Sequence, residues 1–186
     1  MGFDIYGTDP VKKTKMPELL KKDFWELTKE EEKDFSLLNE KYKKENPGIY
    51  FRNNVWAWRP LWSFVCEICD DIMSESEKHA GIYNAGKIIG KETVLKMTEK
   101  LTKVIESKGH IKHEIIFNSK KLKLKKYKCE ICKGKGVRDD NVVKGLCNRC
   151  NGSGVWENWG SYYLFSTKNF VRFVEFLKQS GGIIIN

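Results

Sequence analysis

The sequence predicts an α+β fold: a compact helical core with a few short strands, from which a cysteine-rich hairpin protrudes. Three observations support this expectation. The chain has 186 residues, of which 40% are hydrophobic and 32% charged, so it can bury a core. Apolar residues recur at helical spacing in several segments. A lysine- and cysteine-rich segment precedes the last helical pattern, so we expect a core from 1–110 and 155–186 with 111–154 inserted.

The first predicted elements are one or two short, exposed helices within 18–45, a segment rich in Glu, Lys and Leu. A turn at Asn46-Pro-Gly48 follows. The next helix is expected to begin at Pro60, because proline suits the first turn of a helix. Its apolar face would consist of Leu61, Phe64, Val65, Ile68, Cys69 and Ile72.

The second half of the chain predicts two more helices and several strands. Helical periodicity covers 92–107 and stops at Gly109. The segments 111–117 and 121–127 are predicted as strands, the second because leucines alternate with lysines. A last helix, at about 168–179, is followed by Gly181-Gly182 and a short strand.

Four cysteines form two copies of the pattern C-x-x-C-x-G-x-G, one at 129–136 and one at 147–154. The intervening residues are enough for a hairpin that brings the two pairs together. Zinc is bound tetrahedrally by four thiolates in such knuckles, and glycines after each pair permit the sharp turn that aims N–H groups at sulfur. A disulfide framework is the alternative, but it is uncommon inside cells. We therefore predict one structural Zn²⁺ in a protruding hairpin, bound by Cys129, Cys132, Cys147 and Cys150.

The C-x-x-C-x-G-x-G repeat resembles the cysteine-rich zinc region of DnaJ-type co-chaperones, over 129–154 only. In that family, pairs of repeats share a zinc ion, which implies the same metal role for the four cysteines. The family has four repeats, whereas this chain has two. The His-Pro-Asp signature of a J-domain is absent from the sequence.

The tetrapeptide CEIC also occurs at 66–69, but there it lacks the following glycines and a partner pair. Free cysteine is among the most buried residue types. We therefore interpret Cys66 and Cys69 as small core side chains of the helix expected to begin at Pro60, with a further metal or redox site as the alternative.

Positive charge is concentrated around the cysteine repeats. The chain carries a net charge of +9, and 110–150 alone contains 12 Lys and Arg against 4 Asp and Glu. Basic segments of this kind bind polyanions, although a solvated face is the alternative. The predicted contacts are Lys121, Lys123, Lys125, Lys126, Arg138 and Arg149.

The segment FRNNVWAWRPLW, at 51–62, suggests a second ligand surface. Arginine, tryptophan and amide side chains can stack on a base and hydrogen-bond its edge, although core packing explains tryptophans equally well. The candidate residues are Arg52, Asn53, Asn54, Trp56, Trp58 and Arg59. Together with the opening GFDIYG and the closing FxxFLxxSGG pattern, this segment is similar to small proteins of bacteriophages and prophages, which implies a cytoplasmic setting in a bacterial host.

Catalytic motifs are weak. The stretch GIYNAGKI, at 81–88, has isoleucine where a P-loop needs Ser or Thr. His110 and His113 are more simply solvated than metal-bound. The leading expectation is therefore a non-enzymatic zinc protein that binds a nucleotide-type polyanion, either nucleic acid or a small nucleotide signal, and acts on host defence.

Two other functions stay open at this stage. The first is a co-chaperone-like module that binds a host protein. The second is a hydrolase or nuclease whose site is assembled only on folding. No stretch of the sequence is long and apolar enough for a membrane helix, and oligomeric state is not predicted.

Overall fold

The computed structural model describes residues 2–186 and has an α+β architecture. The helices within these residues are α1 (Lys29–Glu45), α2 (Val55–Ile68), α3 (Glu75–Tyr83), α4 (Lys91–Glu106), α5 (Gly109–Leu122) and α6 (Thr167–Ser180). The strands are β1 (Gly2–Gly7), β2 (Tyr50–Asn54), β3 (Ile88–Ile89), β4 (Tyr127–Lys128), β5 (Val137–Asp139), β6 (Lys144–Leu146), β7 (Val155–Trp156) and β8 (Ile183–Ile185). Short 3-10 turns lie at Glu18–Lys21, Phe24–Glu26 and Trp159–Tyr162.

The chain divides into two compact units. The core unit comprises the chain up to Ile111 together with Ser166–Asn186, and the cysteine unit comprises Lys112–Phe165. The cysteine unit extends past residue 154, the predicted end of the inserted hairpin.

An antiparallel sheet of order β2-β1-β8-β3 organises the core unit. Alternation along β1 turns Phe3 and Ile5 to the buried face. Aromatic side chains from the helices cover this face: Phe3 stacks on Trp58 of α2 at 5.4 Å, and Phe51 of β2 meets Phe173 of α6 edge-on at 5.2 Å. Trp58 and Trp62 are both buried and therefore supply much of the core.

The start of α2 differs from the prediction. The side chain of Asn54 accepts a hydrogen bond from the N–H of Ala57 at 2.9 Å and caps the helix, which begins at Val55. Pro60 consequently lies inside the helix rather than in its first turn, where it provides no N–H to the carbonyl of Trp56. The asparagine cap, not the proline, determines where this helix starts.

The predicted strands at 111–117 and 121–127 are wrong over most of their length, because 109–122 forms α5. Leu122 and Leu124 are both exposed, so their alternation with lysines does not mark a buried strand face. The Asn118 side chain holds the helix to the end of the cysteine unit: it donates to the carbonyl of Phe165 at 2.9 Å and accepts from its N–H at 2.8 Å. Only Tyr127–Lys128 is extended and paired.

Two helix predictions agree closely with the structure. Helix α4, Lys91–Glu106, matches the predicted 92–107 to within one residue at each end, and α6 begins after Ser166, whose side chain accepts from the N–H of Asn169. Within 18–45 the structure has two 3-10 turns and then the 17-residue α1, in place of one or two short helices. Helix α3 was not predicted, although Ser74 and Glu77 form a capping box at its start. Among residues 2–186, no helix is long and apolar enough to cross a membrane.

Candidate metal centre and basic surface

The four cysteines of the C-x-x-C-x-G-x-G repeats converge on one point. They are buried and free, and their Sγ atoms all lie within 4.8 Å of one another. Cys132 Sγ and Cys150 Sγ are 3.7 Å apart. Zinc–sulfur bonds of about 2.3 Å in a tetrahedron place the sulfurs about 3.8 Å apart, so the donor set and its spacing fit one metal ion such as zinc.

The two halves of the cysteine unit repeat one backbone arrangement. Strand β4 pairs with β7 in the register that places Lys128 opposite Val155, and β5 pairs with β6 so that Val137 lies opposite Leu146. Leu146 follows Lys128 by 18 residues, and Val155 follows Val137 by 18 residues. The same interval separates Cys147 from Cys129. The two ladders are therefore related by an internal twofold pseudosymmetry.

Reciprocal hydrogen bonds join the halves at the metal centre. The N–H of Cys129 donates to the carbonyl of Gly154 at 2.9 Å, and the N–H of Cys147 donates to the carbonyl of Gly136 at 2.8 Å. Both glycines have positive φ, 76° at Gly136 and 73° at Gly154. A Cβ on Gly136 would lie 2.3 Å from the carbonyl oxygen of Gly152, so close backbone approach as well as the turn requires glycine there.

The same glycines direct N–H groups at sulfur. Gly136 N–H donates to Cys132 Sγ and Gly154 N–H donates to Cys150 Sγ, both at 3.3 Å. Burial opposes ionisation of Cys132, but the Gly136 N–H and the neighbouring thiols stabilise its thiolate, and the net effect is a lowered pKa. At Cys132 this arrangement favours the thiolate that a metal ion requires, whereas at Cys150 burial and the neighbouring thiols outweigh the Gly154 N–H and raise the pKa.

The four-cysteine centre is also the interior of residues 127–156, the part of the cysteine unit that the two repeats form. The four cysteines form a buried cluster, and Trp156 is the partly buried hydrophobic side chain that packs against it among the described residues. Arg149 lies over the Trp156 ring at 4.4 Å. Four thiolates leave no open coordination position for a water or a substrate. A metal ion bound by them therefore has a structural role and not a catalytic one.

Cys66 and Cys69 lie in the core unit, on and just after α2. Cys69 is fully buried and Cys66 is partly buried. Burial raises the pKa of each thiol to about 12. Their burial agrees with their interpretation as small core side chains.

The predicted lysines lie beside exposed aromatic rings. Asn158 connects the lysine run to the turn that follows β7. Its Nδ2 donates to the Tyr127 hydroxyl at 3.1 Å and to the Lys125 carbonyl at 3.4 Å. Its Oδ1 accepts from the N–H of Gly160 at 2.9 Å. It thereby caps the 3-10 turn that presents Trp159, which is 67% exposed. We call the lysine run 123–128 together with 157–162 the basic aromatic surface.

The charges on this surface are mostly uncompensated. Lys126 pairs with Glu157. The predicted contact Lys121 lies outside this surface, on α5, where it is half-buried and lies over the Phe117 ring at 5.2 Å. Lys123 and Lys125 are exposed and, among the described residues, form no salt bridge. Asn158, Trp159 and Tyr162 were not among the sequence-predicted residues, although an asparagine before Trp-Gly-Ser is typical of a side-chain-capped turn.

The structure does not bring together the ligand residues predicted in 51–62. Trp58 is completely buried and donates from Nε1 to the Gly81 carbonyl at 2.6 Å, so it cannot stack on a ligand. Asn53 faces the core on β2, and the Asn54 side chain is occupied as the cap of α2. Trp58 and Asn53 build the core and Asn54 starts a helix, so the structure does not present these three side chains as one ligand surface.

The exposed members of the same segment point to different places. Arg52 pairs with Asp4 on the outer face of the sheet, at 3.5 Å. Trp56 is partly exposed, and Arg59 lines a cleft between α2 and α3.

In the cysteine unit, Arg138 is held by Asp140 at 2.6 Å and by Asn148 at 2.9 Å. The pairing of Arg138 makes it a structural contact of the β5–β6 hairpin.

Comparisons with known proteins give no match: no protein-family model, no curated protein and no solved structure is similar to this chain. They therefore lend no support to the resemblance to DnaJ-type co-chaperones or to bacteriophage proteins. What the structure does support is a four-cysteine centre able to hold one metal ion.

Proposed function

We propose that this protein binds single-stranded nucleic acid without catalysis, through the basic aromatic surface of a cysteine unit organised by one structural Zn²⁺. The observation that carries this proposal is the position of Asn158. It holds the backbone of the lysine run against the turn that exposes Trp159.

The first support is charge. The cysteine unit contains twelve Lys and Arg against five Asp and Glu, a net charge of +7 out of +9 for the whole chain. Four thiolates and one Zn²⁺ change this by −2, so the unit stays near +5. Lys123 and Lys125 are exposed and outside any salt bridge of the described residues, so they are available to phosphates.

The second support is the set of exposed aromatic rings. Trp159 is 67% exposed, Tyr127 55% and Tyr162 51%. The rings of Trp159 and Tyr162 are 6.0 Å apart. Unpaired bases stack on such rings whatever their sequence, whereas a duplex keeps its bases stacked on each other. Lysines beside exposed rings therefore favour a single strand over a duplex.

The test is fluorescence anisotropy with a labelled oligothymidylate and a labelled oligouridylate across a salt series, using the zinc-loaded protein. Replacing Lys123, Lys125 and Lys128 by Gln should flatten the slope of log K against log salt by about 2, because each phosphate contact on a single strand contributes about 0.7. The matched control replaces three exposed lysines of the core unit, Lys33, Lys96 and Lys103, and should leave the slope unchanged.

A second variant separates stacking from charge. Trp159→Ala should weaken binding by about 5- to 150-fold with an unchanged salt slope. Trp25→Ala, which removes an exposed ring in the core unit, is its control. The proposal is wrong if the lysine variant keeps wild-type affinity and slope, or if a duplex binds as tightly as a single strand.

Exposed apolar side chains favour one other function. Ile131, Val137, Val142 and Leu146 all lie on the cysteine unit and are more than half exposed. A surface of this kind can hold an unfolded polypeptide. This function predicts that the zinc-loaded protein suppresses aggregation of a denatured enzyme, that Val142→Ser with Leu146→Ser abolishes the effect, and that the lysine variant retains it.

A further inference from the structure

We infer that the cleft lined by the end of α1, the start of β2 and α6 binds a diphosphate group, a compact anion with several negative charges. This site goes beyond the proposed function, because all of its residues lie in the core unit and none belongs to the basic aromatic surface.

The cleft is built from segments that are far apart in sequence. Its volume is about 350 Å³, near the lower end of the range of about 300–1,000 Å³ that ligand pockets occupy. Helix α1 and the turn after it supply one part of the lining, α6 supplies another, and the start of β2 completes it. The side chains that decide its chemistry are Lys43, Lys44, Tyr50, Phe51, Arg172 and Glu175.

Three cations line this cleft without an acidic partner. Among residues 2–186, Lys43, Lys44 and Arg172 form no salt bridge. The one acidic residue of the lining, Glu175, is paired with Lys178 at 2.6 Å, so its charge is already balanced. The charge of the three cations is therefore available to an anion in the cleft.

Two of the three cations lie over aromatic rings of β2. Lys43 Nζ is 4.0 Å from the centre of the Tyr50 ring, and the Arg172 guanidinium is 5.3 Å from that of the Phe51 ring. Both rings belong to a strand that is paired along its length with β1. These contacts position the two cations before a ligand binds, which lowers the entropic cost of binding.

The charge of Lys43 is incompletely compensated. Burial lowers its pKa against the opposing effect of Asp4 and Glu40, and Arg52 lowers it further. The Asp4 carboxylate is shared, because it pairs with Arg52 at 3.5 Å and accepts a hydrogen bond from the Tyr50 hydroxyl. A bound anion would stabilise the charged form of Lys43, so the electrostatics of the cleft favour an anion.

The lining also defines the class of anion. Phe51 and Phe176 are buried, and the Tyr50 ring is in contact with Lys43 and with the Tyr6 ring at 5.1 Å, so a nucleobase has no free ring to stack on. An arginine fork and two ammonium groups suit the oxygens of phosphate groups. Three cations around a small volume match a diphosphate, either free or at the end of a nucleotide.

The test is residue-resolved NMR on full-length, zinc-loaded protein labelled with ¹⁵N and titrated with pyrophosphate. Amide signals of 43–51 and 171–176 should shift together and saturate in the millimolar range. Sodium chloride at the same ionic strength should not reproduce these shifts. Because each signal reports on its own residue, pyrophosphate bound at the lysine run of the cysteine unit is recorded separately.

Three variants locate the effect, and their spectra also show whether each remains folded. Arg172→Gln and Lys43→Gln should each weaken binding at this cleft by about tenfold, because each removes a charged contact to the ligand. Lys33→Gln, which changes an exposed lysine of α1 outside the cleft, is the matched control and should bind pyrophosphate as the wild type does.

Adenosine diphosphate distinguishes the two sources of the group. It should bind no more tightly than pyrophosphate, because the cleft offers the adenine no ring. Adenosine diphosphate binding more than about tenfold tighter would overturn the assigned ligand class.

Three other results would overturn the site itself. These are the absence of a saturable shift in 43–51 and 171–176, the same shifts with sodium chloride alone, and wild-type affinity in both cleft variants. The second result would show charge screening instead of binding. None of these results depends on nucleic-acid binding by the cysteine unit.

Discussion

Removal of the metal ion should unfold residues 127–156 while the core unit stays folded. The reason is the composition of this region's interior, which consists of the four cysteines with Trp156 packed against them. Trp156 is only partly buried, so its burial contributes at most about 2 kcal/mol. A structural zinc ion contributes about 10–16 kcal/mol at neutral pH. The metal therefore outweighs the apolar contribution several-fold, and the backbone of 127–156 is not held without it.

Hydrogen–deuterium exchange resolved by peptide is the assay, applied to the holo-protein and to protein whose metal content after chelation is measured by native mass spectrometry. Amides of 127–156 should exchange at least about 100-fold faster in the metal-free form. Those of α2 and α6 should change little, because their aromatic core contains no metal ligand. Cys150→Ser should reproduce the metal-free pattern. Retained protection in 127–156 after verified metal loss would refute this reasoning.

Three further predictions concern single positions. Gly136→Ala should weaken metal affinity at least about tenfold in competition with a chromophoric chelator, because its Cβ would meet the Gly152 carbonyl, whereas Gly90→Ala, with open space around it, should not. Asn46→Ala removes four hydrogen bonds, three that tie the loop after β1 to the end of α1 and one to the Tyr42 carbonyl within α1, and should cost about 2–4 kcal/mol, seen by calorimetry as a Tm about 5–12 °C lower; an unchanged Tm would contradict it. Burial raises the pKa of Cys66 and Cys69 from 9.0 to about 12, so the contribution of these two thiols to the unfolding free energy should be constant below about pH 9 and fall as pH rises towards 12, and Cys→Ala at both positions should reduce the slope in that range in denaturant titrations.

The metal ligands could be predicted from sequence because their spacing is a local property. C-x-x-C-x-G-x-G encodes the knuckle within eight residues, and the structure places all four cysteines together. Helix α6 could be predicted for a similar reason, since Ser166 and Gly181 mark its ends within the segment itself.

The failures have a different origin, because they depended on burial. Trp58 lies in a segment whose composition suits a ligand surface as well as a core, and only its packing between the sheet and α6 decides between them. Leucines 122 and 124 alternate with lysines as in a half-buried strand, but both are exposed. Asn158 acts through contacts with residues more than thirty positions earlier, which a local pattern does not reveal.

The pairing of β4 with β7 has a thermodynamic consequence. Lys125 and Asn158 lie just outside this ladder, which the metal centre holds closed from the other side. If the metal is lost, the lysine run and Trp159 are no longer held together, so the affinity for a polyanion and the affinity for the metal are linked. Linkage is reciprocal, and a bound strand should raise metal affinity by the same factor by which the metal raises affinity for the strand. The free concentration of metal would then regulate binding at a surface that contains none of the metal's ligands.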